Sequence, residues 1–305
     1  MIRWLVALAG LVIFAAAVVT ALDQAASGRQ PWDPELSDNF VFVKLIPFVI
    51  ALGIAFGVAL GGRAAAARRA GRVRRFGPAT IVGHWLIAVG FLLALPTGVW
   101  QYMGGILDVQ LPVPLYLVYR VHYVGAGLIL LLLAFFVAYW AMGRDRSLLV
   151  PRGEWRRHLT GFAQELPKRL GAPLAARLRL DLRERPLPGK FTFYETAFSF
   201  PTWTLVLALI TVTGLVKAAR YVLPVPGPVL YWVSTFHVAA MVLILVKVLD
   251  HLRYTFARWP LLVAMVTGWV DERYARLRHP AWGASRAEPA PAARVPAATA
   301  AGGEE

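Results

Sequence analysis

Long apolar runs, separated by shorter polar stretches, dominate the hydropathy pattern of the chain. A helix needs about 20 consecutive apolar residues to cross a hydrocarbon core. Transmembrane helices are therefore expected at roughly 4–22, 41–60, 79–99, 115–140, 197–216 and 229–252. The first run follows Arg3 and ends in "VTA", a pattern that fits either a cleaved signal peptide or a retained helix. The whole pattern predicts an all-α integral membrane protein.

Composition supports this class and excludes others. Of the 305 residues, 58% are apolar and 16% are charged, which is outside the usual balance of a soluble domain. The formal net charge is +15, but the basic residues lie in blocks between the apolar runs, so we expect no nucleic-acid partner. The absence of cysteine excludes disulfides, thiolate zinc sites and cysteine-ligated iron–sulfur clusters. Any redox chemistry must use an imported cofactor with other ligands.

The basic blocks predict the orientation in the membrane, because Arg and Lys accumulate on the cytoplasmic side. Residues 61–77 contain six arginines and no acid, and the loop 143–190 contains twelve Arg or Lys against five Asp or Glu. Residues 23–40 are mainly acidic, and 100–114 carry the single charge Asp108, so both should lie outside. Helices beginning near 79 and 197 should therefore run outward, and those beginning near 115 and 229 should run inward.

Four histidines lie within the expected spans, where ionisable groups are costly and are often functional. The orientation places His84 and His251 near the cytoplasmic face, and His122 and His237 near the outer face. A neutral histidine bonded to a neighbouring helix would explain any one of them alone. Two at each depth indicate two pairs.

Helix geometry allows one helix to contribute to both pairs. The 14 residues from His237 to His251 rise about 21 Å and turn about 1400°, which is about 40° short of four full turns. Both rings therefore face nearly the same side. His122 can complete a site with His237, and His84 can complete a site with His251.

Two haem b groups, each held by two histidines, fit these pairs and a bundle core. Zinc would need three or four protein ligands. With both axial positions filled, electron transfer is the expected task, and we predict no catalytic residue. A haem-free membrane anchor or transporter is the alternative from another class.

Small and basic residues near the histidines are candidate cofactor contacts. Gly83, Gly98 and Gly125 would let a flat macrocycle approach the backbone, although small residues also pack membrane helices. Arg120 on the outer side and Lys247 on the inner side could pair with propionates, although cations at helix ends commonly extend to the interface without a ligand. Lys217, Arg220 and Arg253 are further candidates for the same pairing.

Four motifs together resemble the cytochrome b gamma subunit of respiratory formate dehydrogenases. They are "RRFGPATIVGHWLIAVGFLLALPTG" (74–98), "YRVHYVGAGL" (119–128), "FHVAAMVLILVKVLDH" (236–251) and "MVTGWVDERYARLRHPAW" (265–282). The last is the most telling, because neither haem chemistry nor hydropathy requires it.

The resemblance implies a four-helix bundle with two haem b groups in the bacterial inner membrane, preceded by one or two extra N-terminal transmembrane helices. By motif position, His122 and His237 would hold the outer haem, and His84 and His251 the inner one. The implied partners are an iron–sulfur beta subunit and a molybdenum or tungsten catalytic alpha subunit. The implied electron acceptor is menaquinone or ubiquinone. The cytochrome b subunit of a nickel–iron hydrogenase, or of another molybdenum oxidoreductase, is the alternative within the class.

The implied quinone site departs from the family pattern. The family has Lys, an aromatic residue, Asn and then Gln where this chain has "GKFTFYETAFSF", so that Thr192 and Glu195 take the last two places after Lys190. The resemblance assigns Lys190, Thr192, Glu195 and His251 to the quinone, with Glu195 as a proton donor. Alternatively, Glu195 stabilises the helix start, where a negative carboxylate is attracted to the positive end of the helix dipole.

The expected organisation follows from these assignments. It comprises a signal peptide or helix (1–22), an external acidic segment and helix (23–62), a basic cytoplasmic linker (63–78), a four-helix di-haem core (79–260), a cytoplasmic segment (261–283) and a disordered tail (284–305).

Overall fold

The computed structural model describes residues 2–26, 34–62, 68–109, 112–143 and 145–285. Six helical segments in this part of the chain are long and apolar enough to cross a membrane, and each contains one of the expected spans; the fifth segment, Tyr194–Ala219, includes a π-helical turn. These helices are α1 (Ile2–Ala26), α2 (Pro34–Leu60), α3 (Pro78–Ile106), α4 (Leu115–Met142), α7 (Phe200–Ala219) and α8 (Gly227–Phe256). A π-helical turn, Tyr194–Ser199, leads directly into α7. The protein is predominantly helical and passes through the membrane several times.

The connecting segments also contain regular structure. The shorter helices are α5 (Trp155–Glu165), α6 (Lys168–Leu178), α9 (Trp259–Thr267), α10 (Glu272–Arg278) and α11 (Pro280–Ser285). Three short strands, β1 (Arg68–Arg69), β2 (Arg72–Arg74) and β3 (Trp269–Asp271), form one antiparallel sheet in that order. The sheet joins the start of α3 to the segment after α9, so two distant parts of the chain meet on one side of the bundle.

Helix α2 packs against α4 along a seam of three glycines spaced four residues apart. A Cβ atom at Gly53 would lie 2.2 Å from the backbone oxygen of Leu131, and one at Gly57 would lie 2.5 Å from that of Phe135. At Gly61 it would lie 2.6 Å from a side-chain atom of α4. Small residues at this spacing let membrane helices approach backbone to backbone. We call Gly53, Gly57 and Gly61 the glycine seam.

Helix α1 lies against α2. A Cβ atom at Gly10 would come within 2.9 Å of the Cβ of Ala55, so the two helices are also closely packed. Just beyond the C-terminal end of α2, Arg3 Nη1 donates a hydrogen bond of 2.9 Å to the backbone oxygen of Gly61. These contacts attach the first helix to the rest of the bundle.

The predicted basic linker, 63–78, contains a β-hairpin within its described residues. Ala70 and Gly71 connect β1 to β2 with φ angles of 45° and 73°. Two consecutive positive φ angles are typical of a two-residue hairpin turn whose twist matches that of the strands. After β3, the carboxylate of Asp271 accepts hydrogen bonds from two backbone N–H groups and so caps α10.

The segment 143–190, expected as a loop, contains the hairpin of α5 and α6, which packs beneath the start of α7. At Gly161 a Cβ atom would lie 2.2 Å from the ring of Phe193, so only glycine fits there without rearrangement. Glu165 accepts hydrogen bonds from the backbone N–H groups of Phe193 and Tyr194, which satisfies donors at the helix start. Burial raises the pKa of Glu165.

Parts of two expected segments fall outside the described residues. The external acidic segment lacks 27–33, and the predicted disordered tail lacks everything after Ser285.

Candidate cofactor site

Helix α8 carries one histidine at each of two levels, and each meets a histidine of another helix. The rings of His84 and His251 lie 6.1 Å apart, centroid to centroid, with their planes inclined by 47°. His122 and His237 both line a cavity of about 400 Å³ between α3, α4, α7 and α8. We call His122 and His237 the outer pair, and His84 and His251 the inner pair, after their expected positions in the membrane.

The ring of His122 is oriented by helix α3. Its Nδ1 lies 2.9 Å from the backbone oxygen of Ala94 and 3.2 Å from Thr97 Oγ1. Since a carbonyl oxygen can only accept, Nδ1 must carry the hydrogen. The Thr97 hydroxyl donates its own hydrogen to the backbone oxygen of Leu93, at 2.6 Å. Nε2 of His122 therefore keeps its lone pair, as a metal ligand requires.

The ring of His237 is oriented in the same way by helix α7. Its Nδ1 lies 2.9 Å from Thr213 Oγ1, and the Thr213 hydroxyl donates to the backbone oxygen of Leu209 at 2.6 Å. The threonine oxygen is thus an acceptor for the Nδ1–H of His237. This tautomer also leaves Nε2 available, and such a hydrogen bond fixes ring orientation and raises ligand basicity.

A glycine follows each of these threonines and makes room for the ring. A Cβ atom at Gly98 would lie 3.3 Å from Cε1 of His122, and one at Gly214 would lie 3.2 Å from Cε1 of His237. Sequence reasoning selected Gly98 but missed Thr97, Thr213 and Gly214. The sequence signal that was missed is a Thr-Gly dipeptide before each histidine. Thr97 precedes His122 by 25 residues, and Thr213 precedes His237 by 24 residues. The same arrangement, a Thr-Gly dipeptide on one helix and a histidine on the next, thus occurs in α3 and α4 and again in α7 and α8.

The inner pair is less constrained. Nδ1 of His84 is buried and has no hydrogen-bond partner. His251 is exposed on the flank of the bundle. Tryptophan rings contact both histidines edge to face: Trp85 lies 5.4 Å from His84, and Trp203 lies 6.4 Å from His251. These contacts orient the rings by packing.

The residues present fit a group held between two imidazoles. An imidazole nitrogen binds a metal at about 2.0 to 2.1 Å and the ring centre lies about 1.1 Å behind it, so opposed rings would stand about 6 Å apart. The inner pair has this separation. The outer cavity has a volume typical of small-molecule and cofactor sites. Among the described residues no cluster of three or more His, Cys, Asp or Glu could hold a bare metal ion.

Two of the candidate glycines contact a neighbouring helix. A Cβ atom at Gly83 would lie 2.8 Å from the ring of Phe136, and one at Gly125 would lie 2.7 Å from the backbone oxygen of Gly90. Both positions hold α3 and α4 close together. This is the helix-packing role that small residues have in membranes.

The candidate cations have different surroundings. The guanidinium of Arg120 lies 5.2 Å above the ring of Tyr116. Lys247 is only 8% exposed, and its Nζ lies 3.8 Å from a carboxylate oxygen of Asp250 and 5.6 Å above the ring of Trp203. The wall of the outer cavity includes two other cations, Lys217 and Arg220, and Gln101, whose Nε2 is buried without a partner.

Three of the four residues assigned to quinone binding, Lys190, Thr192 and Glu195, lie in the segment that leads into α7. Thr192 Oγ1 is 2.9 Å from the hydroxyl of Tyr254, which follows His251 by three residues on α8. The Glu195 carboxylate accepts a hydrogen bond of 2.7 Å from the backbone N–H of Thr192, as an acid at a helix start does.

Lys190 forms an ion pair with Asp145. Burial alone would raise the pKa of Asp145, but the ammonium of Lys190 and hydrogen bonds from Ser147 bring that pKa below its usual range. The ion pair attaches the residue after α4 to the segment before α7. It therefore also has a structural role.

An arginine that sequence reasoning did not select is fully buried on this side. Arg75 Nη1 donates a hydrogen bond of 3.0 Å to Nε2 of His279, and Nδ1 of His279 donates to the backbone oxygen of Gly189 at 2.9 Å. Burial, together with the Arg75 guanidinium, lowers the pKa of His279 to about 4. Arg75 Nη2 also lies 3.9 Å from Glu195. We call the contact between Arg75 and His279 the cytoplasmic clamp, after the expected position of these residues relative to the membrane, and it explains the histidine of the "RHPAW" motif.

A multi-span helical bundle with paired histidines at two levels is the architecture of a membrane cytochrome b. The chain belongs to the prokaryotic cytochrome b561 family, whose pattern it matches over residues 75–268. That segment contains all four paired histidines and begins after α1 and α2. Members of the family bind haem b, so the protein is a multi-pass cytochrome b of the bacterial inner membrane with a role in electron transport. The search of curated proteins gives no match.

Proposed function

We propose that the protein is the di-haem cytochrome b subunit of a respiratory formate dehydrogenase. It would carry electrons from an iron–sulfur subunit on the outer side to a quinone on the cytoplasmic side. The observation that carries this proposal is the placement of four histidines as two pairs, with His237 and His251 on one helix. A single pair would serve one haem and would not connect the two faces.

The residues of the chain would hold and tune the cofactors. When bound, each haem b would supply a one-electron couple, and the two imidazoles of one histidine pair would hold it. His122 and His237 would bind the outer group through Nε2, because Nδ1 of each ring is already a donor. Lys217 and Arg220 line the same cavity and would offset the negative charge of propionates.

The polar residues at the start of α7 support a quinone site beside the inner pair. Thr192 and Tyr254 offer hydroxyl groups, and Glu195 offers a carboxyl group that could give a proton to a reduced quinone. The π-helical turn that carries Glu195 also supports a functional site here, because such turns occur frequently at functional sites. Menaquinone and ubiquinone both match this chemistry.

The formate dehydrogenase partners are proposed from the sequence motifs. The "MVTGWVDERYARLRHPAW" segment supports them, and its residues build β3, α10 and the cytoplasmic clamp. Most of this segment lies beyond residue 268, outside the part that matches the cytochrome b561 family. An iron–sulfur beta subunit and a molybdenum or tungsten alpha subunit would complete the complex.

The decisive experiment is purification of the tagged protein from native membranes under mild detergent. We expect two haem b per chain in a pyridine haemochrome assay, and we expect iron–sulfur and molybdenum or tungsten subunits to co-purify. Formate should then reduce the b-type bands, and a quinone analogue should reoxidise them. Co-purification of nickel–iron hydrogenase subunits would show that the proposed partners are wrong. Absence of b-type bands would show that the protein is a haem-free membrane anchor.

A further inference from the structure

Helix α2 lies outside the segment that matches the cytochrome b561 family, yet it reaches the outer cavity. Phe42 of α2 is part of the cavity wall, and its ring stacks on that of Tyr123 with centroids 4.5 Å apart and planes inclined by 12°. Tyr123 lines the same cavity and directly follows His122 on α4. One aromatic contact thus connects α2 to the neighbour of a haem ligand.

A buried polar contact adds to this connection. Asn39 is only 7% exposed, and its Oδ1 accepts a hydrogen bond from the hydroxyl of Tyr123. An amide side chain within a membrane helix is costly unless it finds a partner, and a bond between helices is its usual solution. The pair therefore fixes both the position of Tyr123 and the register of α2 along α4.

The glycine seam makes α2 a rigid support for these contacts. Gly53 lies 11 residues after Phe42, which corresponds to about 16 Å along the helix. The seam holds the distant half of α2 against α4, and Asn39 and Phe42 hold the half beside the outer pair. Two separate sets of contacts attach the same helix, and only the second touches the cavity.

We propose that α2 is a fifth wall of the outer site, in which Asn39 and Phe42 hold Tyr123 as a positioning residue for His122 and close the cavity to lipid. Closure matters because burial and nearby hydrogen bonds are what set the potential of a ligated haem. The task of the N-terminal extension is then to adjust the outer cofactor site. The proposal needs neither formate nor a quinone.

The first test measures closure without using haem. Because the chain contains no cysteine, an Ala126→Cys variant places a single thiol in the cavity wall. The rate at which a lipid-soluble maleimide labels this thiol in membranes should rise roughly tenfold or more when Gly57→Leu disrupts the glycine seam. A tenfold rise corresponds to a loss of about 1.4 kcal/mol in the free energy with which α2 packs against α4. Ala51→Leu is the matched control, since it adds the same bulk to an exposed face of α2. Equal labelling in Gly57→Leu and Ala51→Leu would overturn the proposal.

The second test uses milder changes that keep the helices packed. Tyr123→Phe and Asn39→Leu each remove the same hydrogen bond, so each should shift the midpoint potential of the outer haem while the inner haem keeps its own. The double variant should shift it no further than Tyr123→Phe alone, because the hydrogen bond that Asn39→Leu removes is already absent in Tyr123→Phe. Tyr231→Phe, at a position 66% exposed, is the control.

Additive shifts, or shifts no larger than that of Tyr231→Phe, would show that α2 merely packs on the bundle. If the purified protein contained no haem, the proposed function would fail while the labelling test would still decide the role of α2.

Discussion

The outer and inner histidine pairs share one helix but differ in how they are held. Both outer rings donate Nδ1–H to a neighbouring helix, and both lie in one cavity beside a glycine. In the inner pair, Nδ1 of His84 is buried without a partner and His251 is exposed on the flank of the bundle. The protein therefore orients the outer ligands in advance and leaves the inner ligands more freedom.

The surroundings of the two pairs suit different tasks. A pair with fixed tautomers favours a cofactor that only receives and passes electrons, because little must rearrange. The inner pair lies near hydroxyl and carboxyl groups at the start of α7, which suits the proposed exchange with a quinone. Access for a second molecule requires an open flank, and an enclosed site would prevent it.

Removing one ligand from each pair should have the largest effect. His237→Ala should eliminate the proposed outer haem and His251→Ala the proposed inner haem, because each variant keeps only one imidazole of its pair. Haem content and reduced-minus-oxidised spectra should fall to about half in each variant, with different residual bands. Loss of both haems from either single variant would contradict two independent sites.

Acid should loosen the segment after α9, which contains His279. His279 has a folded pKa of about 4 against an ordinary 6.5, because burial and the cations Arg75, Arg258 and Arg278 disfavour its protonation. A depressed pKa gives stability that is complete above pH 6.5 and is lost as the pH falls through 4. The shift corresponds to about 3 kcal/mol.

Hydrogen exchange of residues 269–285 is the measurement for this acid effect. Exchange should accelerate between pH 6.5 and 4 after correction for the intrinsic rate. In His279→Gln, which can still accept from Arg75 but does not titrate, the corrected rate should stay flat. A titrating response in His279→Gln would assign the acid effect to another group.

The two threonines of the outer pair should differ in importance. Thr213→Val removes the nearest acceptor of His237 Nδ1 and leaves only a weaker contact with the backbone oxygen of Ile210, whereas Thr97→Val leaves the backbone oxygen of Ala94, at 2.9 Å, for His122. Loss of such an orienting bond typically costs about 10- to 100-fold in affinity. Haem retention during gel filtration should therefore fall further in Thr213→Val than in Thr97→Val.

Thr204→Val is the control for these variants, because the Thr204 hydroxyl bonds only within α7, to the backbone oxygen of Phe200. Equal losses in Thr213→Val and Thr97→Val would mean that the carbonyl contact of His122 does not matter.

The glycines beside the outer rings should give the smallest effect. Gly214→Ala would bring a methyl group 3.2 Å from His237 Cε1, which is tight enough to turn the ring slightly. We expect the outer haem to remain bound with a changed absorption band, at a cost of about 1 kcal/mol or more in stability. Gly127→Ala, where nothing lies within 4 Å, should leave the spectrum unchanged. A larger change in Gly127→Ala would contradict this geometry.

Some of the residues around the outer pair could have been identified from the sequence but were missed. The Thr-Gly dipeptides before His122 and His237 repeat at nearly equal spacing, and the glycine seam repeats every four residues. Both are short local patterns that need no alignment to find. Arg75 is different, because its role depends on His279, more than 200 positions later. No local pattern relates two such positions.

The sequence by itself determined the six apolar spans, the membrane class and the four intramembrane histidines. Hydropathy and helical periodicity are local properties, so residues within one segment specify them. Only the tertiary structure decided which nitrogen of His122 and His237 is free, that α2 enters the outer cavity, and that the segment after α9 returns to the start of α3. These features depend on contacts between helices, whose partners and register are set by the packing of the whole bundle.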